Sequence, residues 1–159
     1  MYMRGYCVKR SFPVQWKQIA GETGQQRTFA IVFETGDEVM AGLRRFIAEQ
    51  PVGASQFGGI GAFSDAVVAY FDWESKEYQR IPIREQVEVL VLSGDVSDEE
   101  SGKSKVHAHV VVGRRDGSAH GGHLMEAHVR PTLELVLTES PRHLVRRFDA
   151  ASGLSLIRV

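Results

Sequence analysis

The sequence predicts an α+β fold, a largely antiparallel β-sheet flanked by one main helix. Three observations lead to it. Short runs of aromatic and β-branched residues, bounded by turn formers, recur along the chain. One stretch, roughly residues 36 to 50, carries helical spacing instead. No linker, low-complexity tract or repeat of fixed period interrupts the succession, so residues 1–159 read as a single domain. A chain of 159 residues can bury a real core without disulfide or metal staples, so any metal is expected to serve function. The 43% apolar and 25% charged content is that of a globular protein.

Taken in order, Gly5 to Phe12 and Thr28 to Phe33 read as strands with a loop between them. Thr35-Gly36-Asp37-Glu38 fits a capping box, in which the threonine caps the third amide and the glutamate reaches back. Val39, Leu43, Phe46 and Ile47 then recur on one helical face until Pro51 stops the pattern. Gly58, Gly59 and Gly61 crowd one segment before a strand over Asp65 to Trp73, and Tyr78 to Ile83 and Gln86 to Val96 follow as strands. Beyond the acidic loop 98–102, the strands expected are Val106 to Gly113, Gly122 to Val129, Leu133 to Thr138 and Leu154 to Val159. Asp116-Gly117 is the clearest hairpin turn.

Charge and composition exclude several classes. A net charge of -1 gives no global attraction for a nucleic-acid backbone or an anionic membrane. No apolar run approaches the roughly 18 residues a membrane helix needs. The single cysteine, Cys7, has no partner for an intramolecular disulfide, and the opening residues lack the apolar core of a signal peptide. The expected location is the cytoplasm. Gly58-Gly59-Ile60-Gly61 is not followed by the lysine of a phosphate loop, and Ser64 stands where a dinucleotide fingerprint needs glycine. A bulge or a close backbone approach explains it better. The pairs Arg44-Arg45, Arg114-Arg115 and Arg146-Arg147 are short, and each reads first as solvated surface.

The histidines carry the chemical signal. In a strand, His107-Ala108-His109 puts two imidazoles on one face and Val106, Ala108 and Val110 on the other. Such a pair can converge on one ion at the roughly 2.0–2.1 Å bond length of zinc. His123 lies across the Asp116-Gly117 turn, but a plain two-residue loop would set it on the wrong face. A bulge at Gly121-Gly122 would restore it, and the same glycines would admit a close backbone or ligand. A lone His-x-His is most often exposed polar surface; the third histidine in the same hairpin favours a metal. His120 reads as a loop residue, His128 as facing away, and His143 as surface. Glu88, Glu126 and Glu134 are available as general bases, though the sequence places none of them at the site.

Val106-His107-Ala108-His109, Gly117 and Gly121-Gly122-His123-Leu124 together resemble the plants and prokaryotes conserved (PPC) domain. Residues 59–66 are similar to that family's glycine-rich strand segment, and 86–94 to its central strand. The resemblance implies a PPC-like fold assembled as a homotrimer, with His107, His109 and His123 as ligands of a divalent transition metal such as zinc. Apolar strands that one helix cannot cover point to self-association too. A small-molecule ligand would complete the metal's shell. The family's DNA-binding label rests on an AT-hook outside the domain, and this chain has no Arg-Gly-Arg-Pro core. Nucleic acid is the alternative partner.

Overall fold

Alternating apolar residues between Thr28 and Thr138 build the centre of one nine-stranded sheet in the computed structural model, which describes residues 14–22, 25–140 and 145–158. The elements are β1 (Gln15–Ala20), β2 (Thr28–Glu34), α1 (Val39–Glu49), β3 (Ser55–Asp72), β4 (Glu77–Ile83), β5 (Val87–Glu99), β6 (Ser104–Gly113), β7 (Ala119–Glu139), β8 (Val145–Asp149) and β9 (Leu154–Arg158). The sheet runs β1-β2-β7-β3-β5-β8-β9, with β4 on β3 and β6 joined to both β5 and β7. Strand pairing therefore closes on itself through β3, β5, β6 and β7. Every pairing is antiparallel except β5 with β8. The proposed strand Gly5 to Phe12, Cys7 and His143 lie outside the described residues.

α1 covers the apolar face. Val39, Met40, Leu43, Phe46 and Ile47 are buried among Phe29, Ile31 and Phe33 of β2 and Leu133, Leu135 and Leu137 of β7. The Phe29 and Phe46 rings meet edge to face at 5.4 Å, and Trp16 of β1 closes over both. The helix starts later than the capping box implies. Glu38 is itself the cap, accepting from the amides of Met40 at 3.0 Å and Ala41 at 2.6 Å. It also accepts from Ala127 N–H on β7, so a tertiary contact fixes where the helix begins. Thr35 instead donates to the carbonyl of Pro131.

Two strands are longer than their punctuation suggests. β3 runs straight through Gly58-Gly59-Ile60-Gly61, and β7 through Arg130-Pro131, a cis peptide bond. At Gly59 and Gly61 the registers shift, and a Cβ at either would lie 2.2 Å from a β7 carbonyl oxygen, of Glu134 and of Thr132. The glycines mark close approach inside a strand, not a loop. β1 falls in the expected loop before Thr28; all its residues are exposed and it pairs only with β2, so alternation leaves little trace.

Candidate metal centre

β6 and β7 form a hairpin in which His109 pairs directly with His123. His107 shares the face of His109, while Ala108, Val110 and Val112 point into the core. The bulge expected at Gly121-Gly122 is not present: register runs unbroken from His109↔His123 to Gly113↔Ala119. The extra residue sits in the turn instead. Arg114 N–H donates to the carbonyl of Ser118 at 2.8 Å, and Gly117 N–H to that of Arg114 at 2.9 Å. Gly117 adopts a φ of +83°, and Asp116 Oδ1 accepts from the amide and hydroxyl of Ser118. One residue more than a two-residue turn flips the parity of β7 and brings His123 to the histidine face. Gly121 and Gly122 serve packing, since a Cβ would lie 2.8 Å from the Val110 carbonyl oxygen and 2.7 Å from that of Ala69.

The three rings gather with centroids 5.0, 5.1 and 5.4 Å apart. One nitrogen from each lies within 4.8 Å of the other two. Tetrahedral zinc spaces its ligand nitrogens about 3.4 Å apart, so small side-chain rotations would bring the three nitrogens to that spacing. His123 Nδ1 is buried without a hydrogen-bond partner among the described residues, as a waiting ligand atom would be. Tyr78 of β4 backs the His123 ring at 4.7 Å and rests on Phe71.

Behind His107 stands a polar layer that sequence reading missed. Asp95 of β5, opposite His107 in the ladder, places Oδ2 3.3 Å from His107 Nδ1. Arg146 donates to both Asp95 carboxylate oxygens, at 2.8 and 2.9 Å. Arg146 is thus no solvated surface residue, as the basic-pair reading expected; it is buried. Burial pushes Asp95 up, but hydrogen bonds from His107 and Arg146 hold it below the ordinary carboxylate value. Arg146 Nη2 lies 3.3 Å from the same His107 Nδ1, so both groups hold that side of the ring; with Nδ1–H donated to Asp95, Nε2 would be the lone-pair donor.

Burial also favours the neutral form of His123 and His109. It pulls His123 from 6.5 down to about 4, with repulsion from His107, His109 and Lys105 adding to the shift. His109 is lowered by burial and then by His107. Between 6.5 and about 4 the unfolded chain holds a proton at His123 that the folded chain lacks, so folding stability falls as pH drops through that window. Thermal melts of chelator-treated protein should show this decline, and His123→Gln should flatten it. Equal slopes in the two proteins would refute the assignment.

The other candidates lie elsewhere. His128 binds Asp65 Oδ1 at 2.8 Å, and that hydrogen bond raises its pKa against burial. His120 sits 3.4 Å from Arg114. Glu88 and Glu134 line a groove with Ile60, Leu90 and Pro131 that none of the three histidines lines. Glu126 does reach the histidine face, because the β3–β7 register slips between Val67↔Glu126 and Val68↔Leu124, but its nearest cation is Arg80 at 3.6 Å. Among the described residues only His107, His109 and His123 stand close enough together to share an ion.

Comparison with known proteins places this geometry. A metal-containing protein from Archaeoglobus fulgidus is 32% identical, with 92% of this chain and 98% of that one aligned at a TM-score of 0.76. A plant- and prokaryote-conserved (PPC) protein from Pyrococcus horikoshii is 31% identical over 84% of this chain and 92% of its own, at a TM-score of 0.77. A candidate DNA binding protein from Bacteroides thetaiotaomicron is 26% identical over 92% and 98%, with a TM-score of 0.81. No curated protein matches the chain. The profile of the Plants and Prokaryotes Conserved (PCC) domain matches residues 20–141, and with most of the chain inside that match the protein belongs to the Plants and Prokaryotes Conserved (PCC) domain family.

Proposed function

We propose that this is a metal-binding protein in which His107, His109 and His123 hold one divalent transition metal, zinc first, and that a small ligand or partner is recognised at or beside the ion. The observation that carries the reading is the convergence of three imidazole nitrogens, one from each ring, within 4.8 Å, with His123 Nδ1 buried and unpartnered among the described residues. Imidazole suits zinc and its late transition-metal neighbours and is a poor match for magnesium. Three protein ligands leave a fourth position open, the arrangement of reactive rather than closed zinc sites. When bound, zinc would act there as a Lewis acid on water or ligand. The relative named as metal-containing supports the same reading. Elemental analysis of protein purified without an affinity tag tests it, and one metal per chain is the result it requires.

The same reading has residues 1–159 act as one domain in an intracellular homotrimer. Ile60, Leu90, Val91 and Val136 are exposed on strands β3, β5 and β7, and apolar strand faces of this kind favour burial against a second copy. Light scattering should return three times 17.7 kDa. A monodisperse monomer would refute the trimer.

DNA binding is a second reading, favoured by the names of relatives from Bacteroides thetaiotaomicron and Ralstonia eutropha. Arg146 is turned to Asp95, Arg114 pairs with Glu85 and Arg147 lies 3.9 Å from Glu100, so three of the six arginines in the basic pairs already face a carboxylate. Titration of random duplex DNA across a salt series separates the readings, because phosphate contacts produce a steep salt dependence.

A further inference from the structure

Arg146 lies on β8, beyond the residues that the family profile matches. Its hairpin is lightly attached: among the described residues β8 pairs with β5 at Asp98↔Val145 and Glu99↔Arg146. Yet Arg146 is 8% exposed, and its donors reach β5, β9 and, on β6, His107, whose Nδ1 lies 3.3 Å from Nη2. Nε donates to Ser97 Oγ at 2.7 Å, Nη1 to the Ser155 carbonyl at 3.0 Å, and Nη2 to both oxygens of Asp95. Ser97 Oγ lies 3.2 Å from Asp95 Oδ1, so the carboxylate is held from two sides. A buried guanidinium is costly unless it is paired and its donors are satisfied, and these partners do both. Here what it holds is a carboxylate that touches a candidate metal ligand.

We infer that Arg146 is a positioning residue for the metal centre, acting on His107 both through Asp95 and through its own contact at His107 Nδ1, and that the β8–β9 hairpin docks through it. The inference rests on the metal reading above. Arg146 orients Asp95, the two together hold the Nδ1 side of the His107 ring, and that leaves its other nitrogen, Nε2, for the position shared with His109 and His123. Because coupling between sites is reciprocal, bound metal should tighten the hairpin as the hairpin tightens the metal.

The test uses the full chain and zinc. Affinity is measured by competition with a chromophoric chelator, and amide hydrogen exchange is followed over residues 145–158 with and without zinc. Arg146→Met should weaken zinc binding by roughly 10–100-fold, the usual effect of losing an outer-shell partner. Arg146→Lys, which keeps the charge but not the planar donor array, should recover part of that. The double variant Asp95→Asn with Arg146→Met leaves no unpaired buried charge; it should melt like the wild type when metal-free and still bind zinc weakly. Zinc should slow exchange in the hairpin of the wild type and in neither methionine variant. A folded Arg146→Met or double variant with wild-type affinity overturns the inference, as does hairpin exchange indifferent to zinc. If Arg146→Met does not fold, the double variant and Arg146→Lys decide. Failure of the metal reading looks different: wild type and His109→Ala would then bind zinc equally poorly.

Discussion

Alanine at His109 is expected to strip most of the metal from the protein, and the His107, His109, His123 triple alanine variant to carry none in stoichiometric amount. His109 pairs directly with His123 and is the most exposed of the three. Removing it leaves two imidazoles, too few to hold a late transition metal against water and chelators. The loss should exceed the roughly 10–100-fold that supporting residues contribute. His143→Ala should leave binding unaltered. The measurements are elemental analysis and chelator competition, with circular dichroism confirming that each variant is folded. Full occupancy in the folded triple variant would end the metal assignment.

A β-branched residue at Gly61 is expected to cost about 3 kcal/mol or more, at the upper end of overpacking effects or beyond. A Cβ at Gly61 would lie 2.2 Å from the Thr132 carbonyl oxygen and 2.7 Å from Leu133 Cα. Both are backbone atoms of the strand that β3 is bonded to, so neither can rotate away. Gly59 is equally restricted, by the Glu134 carbonyl oxygen at 2.2 Å. Gly58, next in sequence, is the control: its Cβ would make an ordinary 3.4 Å contact with the Leu92 carbonyl oxygen. Gly58→Ala should stay within about 1 kcal/mol of wild type. Urea midpoints of Gly61→Val, Gly59→Val and Gly58→Ala would separate the cases. Equal midpoints for Gly61→Val and Gly58→Ala would refute the close-approach account.

Local patterns told most where the structure is local. The apolar repeat Val39, Leu43, Phe46 and Ile47 gives the helix its buried face, because residues three and four apart always share a side. His107 and His109 share a face for the corresponding reason in a strand. Chain punctuation told less. The expected strands leave out 58–61 and 130–132, yet β3 and β7 pass through both, and the close backbone approach expected of the glycines is what Gly59 and Gly61 provide inside β3.

The sequence by itself determined an α+β chain with one amphipathic helix, the turn at Asp116-Gly117 and a pair of histidines on one strand face, all set by neighbours a few residues away. Tertiary structure decided the rest. His123 joins the pair only because the turn closes Arg114 on Ser118, one residue longer than the shortest hairpin, which reverses the face of every side chain up to the next bulge. Glu38 becomes the helix cap by also bonding Ala127, 89 positions away. Arg146 reads as surface charge until its partner, Asp95, is brought across 51 positions of sequence. Burial beside an opposite charge turns such a residue from solvated surface into structure, and only the folded chain sets that separation.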